Sequence, residues 1–360
     1  MHKKLFFKSL YAFLTFLFIV ACKEKDYSGD NSWLINRGEN SLKPIINKSK
    51  MVEVDLDSIT YDTLSVEKVI NGDNEKNPDK KLFISSANDI LISNDSLLIL
   101  DFRQNCIIVS DFNGELKDKI GRFGRGPGEY NSPYCFAMNN KYYFVYDNNN
   151  ARIQILDRKF KYVKSINYGI LPLSMNISAS DQYLFVNSPH GIKPKSIETY
   201  QLDNMNFQKV GFVDKACSIN DYVPEFSGFF DFRFAATPNN SFAAGASNLP
   251  FIFLFDEKGK SKISIKFSGS SVNKLKQIQN NSNNKRLLVR SFLNDLICWD
   301  NYFIALIRNK YILAFDIKTM RLNKSFVLKQ SVAGEIAYSN PNLFISDIFD
   351  AKIYKYSLHL

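Results

Sequence analysis

The apolar residues of this chain occur in short runs, separated by asparagine, aspartate, glycine and serine. The clearest example is Leu97–Leu100, which ends in Asp101 and is followed, after a short polar connection, by Cys106–Val109. A strand that ends at a turn residue and returns as a second apolar strand is typical of a β-hairpin. The pattern therefore predicts paired strands and not helices.

This hairpin unit repeats along the chain. Tyr143–Asp147 leads into Arg152–Asp157, and Leu343–Asp347 leads into Lys352–Tyr356. Weaker copies raise the number of units to six, at residues 183–203, 241–256 and 302–316. Repeats of about 40 to 60 residues that contain several short strands predict a β-propeller. We therefore expect an all-β, six-bladed β-propeller.

The two ends of the repeat region fit together. The last unit reaches Leu360 with no room for a fourth strand, whereas an alternating apolar segment, Leu64–Val69, precedes the first unit. An N-terminal strand from this segment would complete the last blade, close the ring and remove exposed sheet edges. Val52–Leu56 is the alternative closing strand. The predicted propeller domain spans residues 51–360.

The amino-terminal residues have the layout of a secretory signal. Three lysines lie ahead of or within an apolar run that begins at Leu5 and ends at Ile19–Cys22. Polar residues interrupt this run, and a membrane-spanning helix needs about 20 predominantly apolar residues. We therefore predict that residues 1–21 are a cleaved signal peptide.

Ile19–Cys22 resembles the bacterial lipobox, in which lipid is attached to the cysteine that becomes the new amino terminus. The resemblance implies lipidation of Cys22, anchoring in a membrane and a location in the cell envelope. Lys23–Asp26 is similar to the signals that send lipoproteins of Bacteroidota to the outer face of the outer membrane. The sequence does not decide between the cell surface and the periplasmic face of the outer membrane. The polar residues 22–50 are predicted to form a lipidated tether.

A glycine-rich segment, Ile120–Tyr130, lies between the first two units. It does not have the features of a phosphate-binding loop, because it lacks a Gly-Lys-Ser/Thr ending, contains a proline without an N–H and precedes no helix pattern. Loops on a rigid scaffold often bind partners. The candidate binding residues in this segment are Arg122, Arg125, Glu129 and Tyr130.

Several aspartate and glycine residues are predicted to stabilise turns and not to bind a partner. Aspartate side chains commonly accept backbone N–H bonds in turns, and glycine adopts turn conformations that other residues avoid. We expect Gly128 to have a positive φ. The predicted structural turn residues are Gly124, Gly126, Pro127, Gly128, Asp101, Asp147 and Asp347.

Two motifs point to a known family. The Gly-x-Gly-Pro-Gly-Glu sequence at Gly124–Glu129 and the repeat at Asp147–Gln154, together with the lipobox, resemble the six-bladed β-propeller lipoproteins of Bacteroidota, a TolB-like group related to NHL-repeat propellers. The resemblance covers residues 51–360. It implies a six-bladed propeller fold and a location in the cell envelope, at the outer membrane, but no particular activity.

Charge bears on the class of partner, and cysteine spacing bears on disulfides and zinc sites. The formal net charge is +10, which attracts anionic glycans, lipopolysaccharide or nucleic acid. Lysine and arginine are scattered and no nucleic-acid-binding motif is present, so we expect no nucleic acid partner. The cysteines of the predicted domain show neither CxxC pairs nor zinc-site spacing, which leaves their disulfide state open. They are Cys106, Cys135, Cys217 and Cys298.

No catalytic residue is predicted. His190 is the sole candidate base inside the domain, but it lies in a turn and no Gly-x-Ser-x-Gly motif accompanies it. We therefore expect the propeller to act as a binding or scaffolding module for a protein or glycan partner. The alternative is a metal-dependent hydrolase or lyase that holds calcium in the central channel through oxygen ligands from several blades.

Overall fold

The computed structural model of the chain describes most of the predicted propeller. The described residues are 39–40, 42–43, 45–71, 83–167, 176–187, 197–203, 206–212, 232–273, 275, 291–347 and 349–360. Their strands form six sheets, and the chain is an all-β, six-bladed β-propeller. The fold predicted from the hairpin repeats is confirmed.

Three strands precede the first complete blade: β1 (Lys50–Asp55), β2 (Asp62–Leu64) and β3 (Val66–Asn71). Blade one contains β4 (Ala87–Ser93), β5 (Ser96–Asp101), β6 (Cys106–Ser110) and β7 (Leu116–Ile120). Blade two contains β8 (Pro133–Met138), β9 (Tyr142–Asp147), β10 (Arg152–Asp157) and β11 (Tyr162–Asn167). Blade three contains β12 (Asn176–Ala179), β13 (Tyr183–Asn187), β14 (Ile197–Asp203) and β15 (Asn206–Phe212).

Blade four contains β16 (Phe232–Ala236), β17 (Phe242–Ala246), β18 (Phe251–Phe255) and β19 (Ser261–Ser268). Blade five contains β20 (Leu293–Trp299), β21 (Tyr302–Ile307), β22 (Tyr311–Asp316) and β23 (Leu322–Leu328). Blade six contributes β24 (Ile336–Ser339), β25 (Asn342–Asp347) and β26 (Lys352–Ser357). Short helical segments lie at Asn148–Asn150 and Ser270–Asn273. No helix among the described residues is long and apolar enough to cross a membrane.

The amino-terminal strands close the ring. β3 pairs antiparallel with β26, with Ile70 opposite Ile353, and becomes the fourth strand of blade six. This confirms the predicted closure by an N-terminal strand. The alternative closing strand, Val52–Leu56, is wrong, because β1 pairs in parallel with β19 as a fifth strand of blade four. β2 extends blade five in the same way.

Neighbouring blades pack through large apolar side chains. Phe185 of blade three contacts Phe242 of blade four with ring centroids 4.4 Å apart, and Phe242 stacks on Phe255 at 4.9 Å. Burial of one such side chain contributes about 1.5–3 kcal/mol, so repeated contacts of this kind hold the blades together. Leu42 and Ile45 are buried in the same cluster. Packing against the propeller therefore begins upstream of β1.

The two ends of the propeller carry different connections. Turns between second and third strands meet the connections between blades at one end, which we call the loop face. There the N–H of Asn149, in the turn of blade two, donates to the carbonyl of Asn131 at 3.0 Å. The remaining turns lie at the opposite end, which we call the hairpin face. The first strands of neighbouring blades contact one another around the ring, so they line a central channel.

Candidate functional site

The glycine-rich connection between blades one and two is a closed loop on the loop face. The N–H of Tyr130 donates to the carbonyl of Arg122 at 2.8 Å, and the N–H of Gly124 donates to the carbonyl of Tyr130 at 2.9 Å. The Tyr130 side chain is fully buried. Gly121 makes room for it, since a Cβ at that position would lie 2.3 Å from the Tyr130 ring.

Glu129 stabilises the interior of this loop. Its Oε2 atom accepts a bond from the N–H of Gly126 at 2.9 Å, and its Oε1 atom accepts bonds from Arg122 Nε and Nη2 at 2.9 and 2.8 Å. The bond from Gly126, followed by the bond from Arg122, lowers the pKa of Glu129. Gly124 is required by this arrangement, because a Cβ there would lie 2.1 Å from the Glu129 carboxylate.

A buried polar network attaches the loop to blade two. Asp147 is fully buried, and its carboxylate accepts bonds from the N–H of Asn131 at 2.6 Å and from Arg152 Nε at 2.8 Å. Arg152 Nη2 also donates to the carbonyls of Gly126 and Glu129 at 2.9 and 3.0 Å. Charge-assisted hydrogen bonds of this kind are stronger than neutral ones. The loop is therefore held rigidly on the β9–β10 hairpin.

Gln154 adds to the same network. Its side-chain oxygen accepts a bond from the N–H of Gly128 at 3.0 Å, and its amide nitrogen donates to the carbonyl of Glu129. Gly128 has a φ of +73°, and no atom lies within 4 Å of the position that a Cβ would take. Glycine is favoured at Gly128 by backbone conformation and not by crowding.

Aspartates also order the equivalent turns of the neighbouring blades. The buried carboxylate of Asp101 accepts backbone N–H bonds from Ser85, Arg103 and Gln104 at 2.7, 3.1 and 2.9 Å. Asp347 accepts backbone bonds from Phe349 and Asp350 at 3.0 and 3.2 Å. In blades six, one and two an aspartate at the end of the second strand therefore orders the turn on the loop face, with more and better-buried bonds in blades one and two than in blade six.

These turns present exposed aromatic and basic side chains to solvent. The Arg122 side chain is 81% exposed and Phe123 is 69% exposed, and Arg125 is also exposed. Phe349, in the turn of blade six, is 80% exposed, and Phe83 is 55% exposed. We call these five residues the aromatic–arginine patch.

Hydrogen bonds connect the turn of blade one to Phe83 on one side and to the glycine-rich connection on the other. The carbonyl of Phe83 accepts a bond from Gln104 Nε2 at 2.7 Å, which attaches it to the turn of blade one. The N–H of Ser132, at the end of the glycine-rich connection, donates to Asn105 Oδ1 of the same turn at 2.7 Å. Phe349 belongs to blade six, the neighbour of blade one, so the patch residues lie on three consecutive blades of the loop face.

Only two of the four candidate binding residues are exposed to a partner. Arg122 and Arg125 are exposed, whereas Tyr130 is in the core and Glu129 is engaged inside the loop. The sequence analysis missed the three exposed phenylalanines, although an aromatic residue inside a polar turn was an available signal. Cys22, His190 and Cys217 lie outside the described residues. Within the described part of the chain no disulfide joins the other cysteines, Cys106, Cys135 and Cys298.

A second group of polar residues lies in the central channel. Four ionisable residues take equivalent positions in four consecutive blades, three within the first strand and Glu335 directly before it, each opposite the penultimate residue of the second strand. They are Arg233, Asp295, Glu335 and Asp89, of blades four, five, six and one. The three carboxyl groups line a cavity of about 160 Å³. The sequence analysis missed this group, although charged residues within apolar strand runs were an available signal.

The channel carboxylates connect the blades. Asp89 Oδ2 accepts a bond from the N–H of Phe136 in blade two at 2.9 Å, and Asp295 Oδ2 accepts one from the N–H of Ile336 in blade six at 2.8 Å. Glu335 Oε1 pairs with Arg233 Nη1 at 2.9 Å. Because backbone amides and an arginine occupy these oxygens, the group acts as a set of links between first strands.

Burial changes the acidity of these groups. It raises the pKa of Asp89 to about 8, raises the pKa of Asp295, and raises the pKa of Glu335 well above its usual value. After burial, the neighbouring carboxylates of Asp295 and Asp89 raise the pKa of Glu335 further, against the opposing effect of Arg233. The channel therefore holds protons near neutral pH. Among the described residues, no three Asp, Glu, His or Cys side chains converge closely enough to hold a metal ion.

Comparison with known proteins supports the fold. Residues 77–217 match the family model DUF5128, a 6-bladed beta-propeller. Blades one to three match a propeller family. No curated protein sequence matches the chain.

Solved structures with a similar chain path have distant sequences. A Bacteroides fragilis protein predicted to be exported is 15% identical, with a TM-score of 0.47 over 83% of this chain and 88% of that one. The WD40 domain of Neurospora crassa Pan2 is 11% identical, with a TM-score of 0.43 over 75% and 74%. BamB from Moraxella catarrhalis is 13% identical, with a TM-score of 0.38 over 77% and 71%. Such low values carry no argument about function or location.

Proposed function

We propose that this chain is a lipoprotein of the cell envelope, anchored through Cys22, whose propeller binds a protein partner at the aromatic–arginine patch. The observation that carries the proposal is the exposure of three phenylalanines and two arginines on neighbouring loop-face segments whose backbone N–H groups are bonded by carboxylates. The lipobox and the resemblance to TolB-like and NHL-related propellers of Bacteroidota support the address, at the surface or the periplasmic face of the outer membrane.

The composition of the patch favours a protein partner. Phenylalanine and arginine are enriched in protein interfaces, while lysine, glutamate and aspartate are depleted there. Contiguous exposed apolar side chains on a soluble domain mark interaction sites. A rigid surface also loses little conformational freedom on binding, which increases the affinity that a given contact area provides. Glycans can stack on the same rings, and the experiment distinguishes the two.

Replacing Phe83, Phe123 and Phe349 with serine is expected to abolish partner binding without affecting the fold, because each side chain is mostly in solvent. Both proteins would be purified from outer membranes after reversible cross-linking, and co-purifying proteins and glycans quantified by mass spectrometry. We expect one protein to be recovered at least about tenfold less with the variant, since interface hot spots contribute 2 kcal/mol or more each.

The matched control replaces two exposed apolar residues outside the patch, Val69 and Tyr162, each of which is 39% exposed. This control should retain the partner at the wild-type level. Equal recovery with all three proteins would contradict the proposal. A glycan that is lost in place of a protein would redirect it to the other class of partner.

A second candidate is the metal-dependent hydrolase or lyase of the sequence analysis, with its reaction in the central channel. Three carboxyl groups and an arginine that meet in a channel are residues from which acid–base chemistry is built. If calcium binds there, the melting temperature should rise with calcium and fall back with a chelator, because a ligand that binds only the folded state stabilises it. Asp295→Asn should remove that shift. An unchanged melting temperature would exclude a calcium-bound channel.

A further inference from the structure

A basic groove lies on the hairpin face between β1 and the turn that joins β22 to β23. Its volume is about 590 Å³. Lys50, Lys318 and Arg321 form the rim, and Met51, Val52 and Ile263 contribute apolar surface. The groove therefore combines positive charge with an apolar floor.

The positive charge of this groove is not neutralised locally. Among the described residues that line it none is acidic, and its three cations form no ion pair with any described residue. The nearest aspartate in sequence, Asp316, accepts backbone N–H bonds from Lys318 and Thr319 at 3.1 and 2.8 Å. The Lys318 charge also contributes to the lowered pKa of Asp316, but no ion pair among the described residues joins this carboxylate to Lys318 or Arg321, so both side chains remain available to an anion.

The groove adjoins the point at which the chain enters the propeller. β1 runs parallel to β19, and Lys50 is opposite Ile263, close to the start of β19 at the hairpin face. The segment upstream of β1 leads back toward Cys22. Roughly 17 residues separate Cys22 from residue 39, and a chain of that length spans at most about 60 Å. A lipid on Cys22 would therefore keep the propeller within reach of the bilayer and allow the hairpin face to contact it.

We propose that this groove binds the phosphates of anionic lipid headgroups in the membrane that carries the anchor. The proposal rests on the lipidation of Cys22 in the proposed function. The cations contact the phosphates, and the apolar floor packs against the glycerol and upper acyl region. The hairpin face then lies toward the membrane and the aromatic–arginine patch, on the loop face, points away from it.

The expected strength follows from the number of basic residues. Each lysine or arginine near an anionic bilayer increases binding about fivefold, so three of them increase it by roughly a hundredfold. The attraction falls at high salt, because mobile ions screen it over about 10 Å at 0.1 M. Anionic lipid content and ionic strength are therefore the two variables of the test.

The lipidated full-length protein would be reconstituted into vesicles of phosphatidylcholine alone and into vesicles with about 30% phosphatidylglycerol. Hydrogen exchange would be followed at residues 50–52 and 316–321. We expect exchange to slow at least about fivefold on the anionic vesicles, and to recover in about 0.5 M salt. The triple variant Lys50→Glu, Lys318→Glu and Arg321→Glu should show no slowing.

The matched control carries the same charge change elsewhere on the hairpin face, at the exposed residues Lys141, Lys159 and Lys161 of blade two. It should retain the protection. Equal exchange on neutral and anionic vesicles would overturn the proposal. So would the same protection on neutral vesicles with about 10 mM inorganic phosphate, since the groove would then bind free anions and not headgroups.

Mass spectrometry of the same preparation separates this proposal from the proposed function. An unmodified Cys22 contradicts the lipid anchor and, with it, the membrane orientation. A lipidated protein whose groove stays unprotected on anionic vesicles contradicts the headgroup site alone.

Discussion

Replacing Asp147 with alanine is expected to destabilise the propeller by about 3–5 kcal/mol. The Arg152 side chain is only 13% exposed and donates to Asp147 at 2.8 Å, so the variant leaves a buried cation without its carboxylate. The N–H of Asn131 and the side chain of Asn150 lose an acceptor as well. Urea unfolding followed by tryptophan fluorescence measures the change.

Asp347→Ala is the matched control for Asp147→Ala. Asp347 occupies the equivalent turn of blade six, but the described contacts of its carboxylate are two backbone N–H bonds. Its loss should cost about 1 kcal/mol for each bond at most. If both variants were destabilised equally, the buried network around Arg152 would have no special role in holding the glycine-rich loop.

The free energy of unfolding is expected to fall as the pH rises from about 5 to 8. Burial raises the pKa of Asp89 to about 8, whereas an unfolded aspartate has a pKa of about 4. Between these values the folded state binds more protons than the unfolded state, so stability decreases with increasing pH. Asp295 and Glu335, whose pKa values burial also raises, act in the same direction.

Other carboxylates do not mask this trend. The hydroxyl of Thr319 lowers the pKa of Asp316, and the hydroxyl of Ser58 lowers that of Asp55. A lowered pKa contributes stability that is present above about pH 4 and is lost below it. These groups are ionised in both states between pH 5 and 8. Denaturant unfolding across this pH range therefore measures the effect of the channel carboxyl groups on stability.

Asp89→Asn should flatten that pH dependence and stabilise the protein by about 1–3 kcal/mol at pH 8. The asparagine oxygen can still accept the bond from Phe136, while the group that must hold a proton is gone. Asp118→Asn, an exposed substitution on β7, is the control and should change nothing. A wild-type protein equally stable at pH 5 and pH 8 would show that the channel group does not take up protons on folding.

The repeated hairpins could be predicted because they depend on local pattern. Apolar alternation that ends in aspartate or asparagine sets both the strand and its turn, and the closing role of β3 followed from counting strands. The pairing of Val52–Leu56 with blade four could not be predicted in the same way. β1 alternates as β3 does, and its choice of β19 depends on which sheet edge is open in three dimensions, which the segment does not encode.

The candidate sites were predictable only in part. The glycine-rich loop is contiguous in sequence, so its arginines were accessible to motif reasoning. Tyr130 lies in the same polar run, but its burial depends on the space that Gly121 leaves for the ring. The channel residues Asp89 and Glu335 are brought together by ring closure alone, and no spacing along the chain connects them.

The distribution of β1, β2 and β3 over the last three blades determines the order of folding. These strands are synthesised first, yet Ile70 has no partner until Ile353 has been made. Each of blades four to six therefore gains its outermost strand only after its own later strand has been made, which for blade six is the last strand of the chain, and such long-range pairing is slow to form. The ring of a chain with this topology cannot close until its last strand has been made, which would allow the export proposed above to take place before the fold is complete.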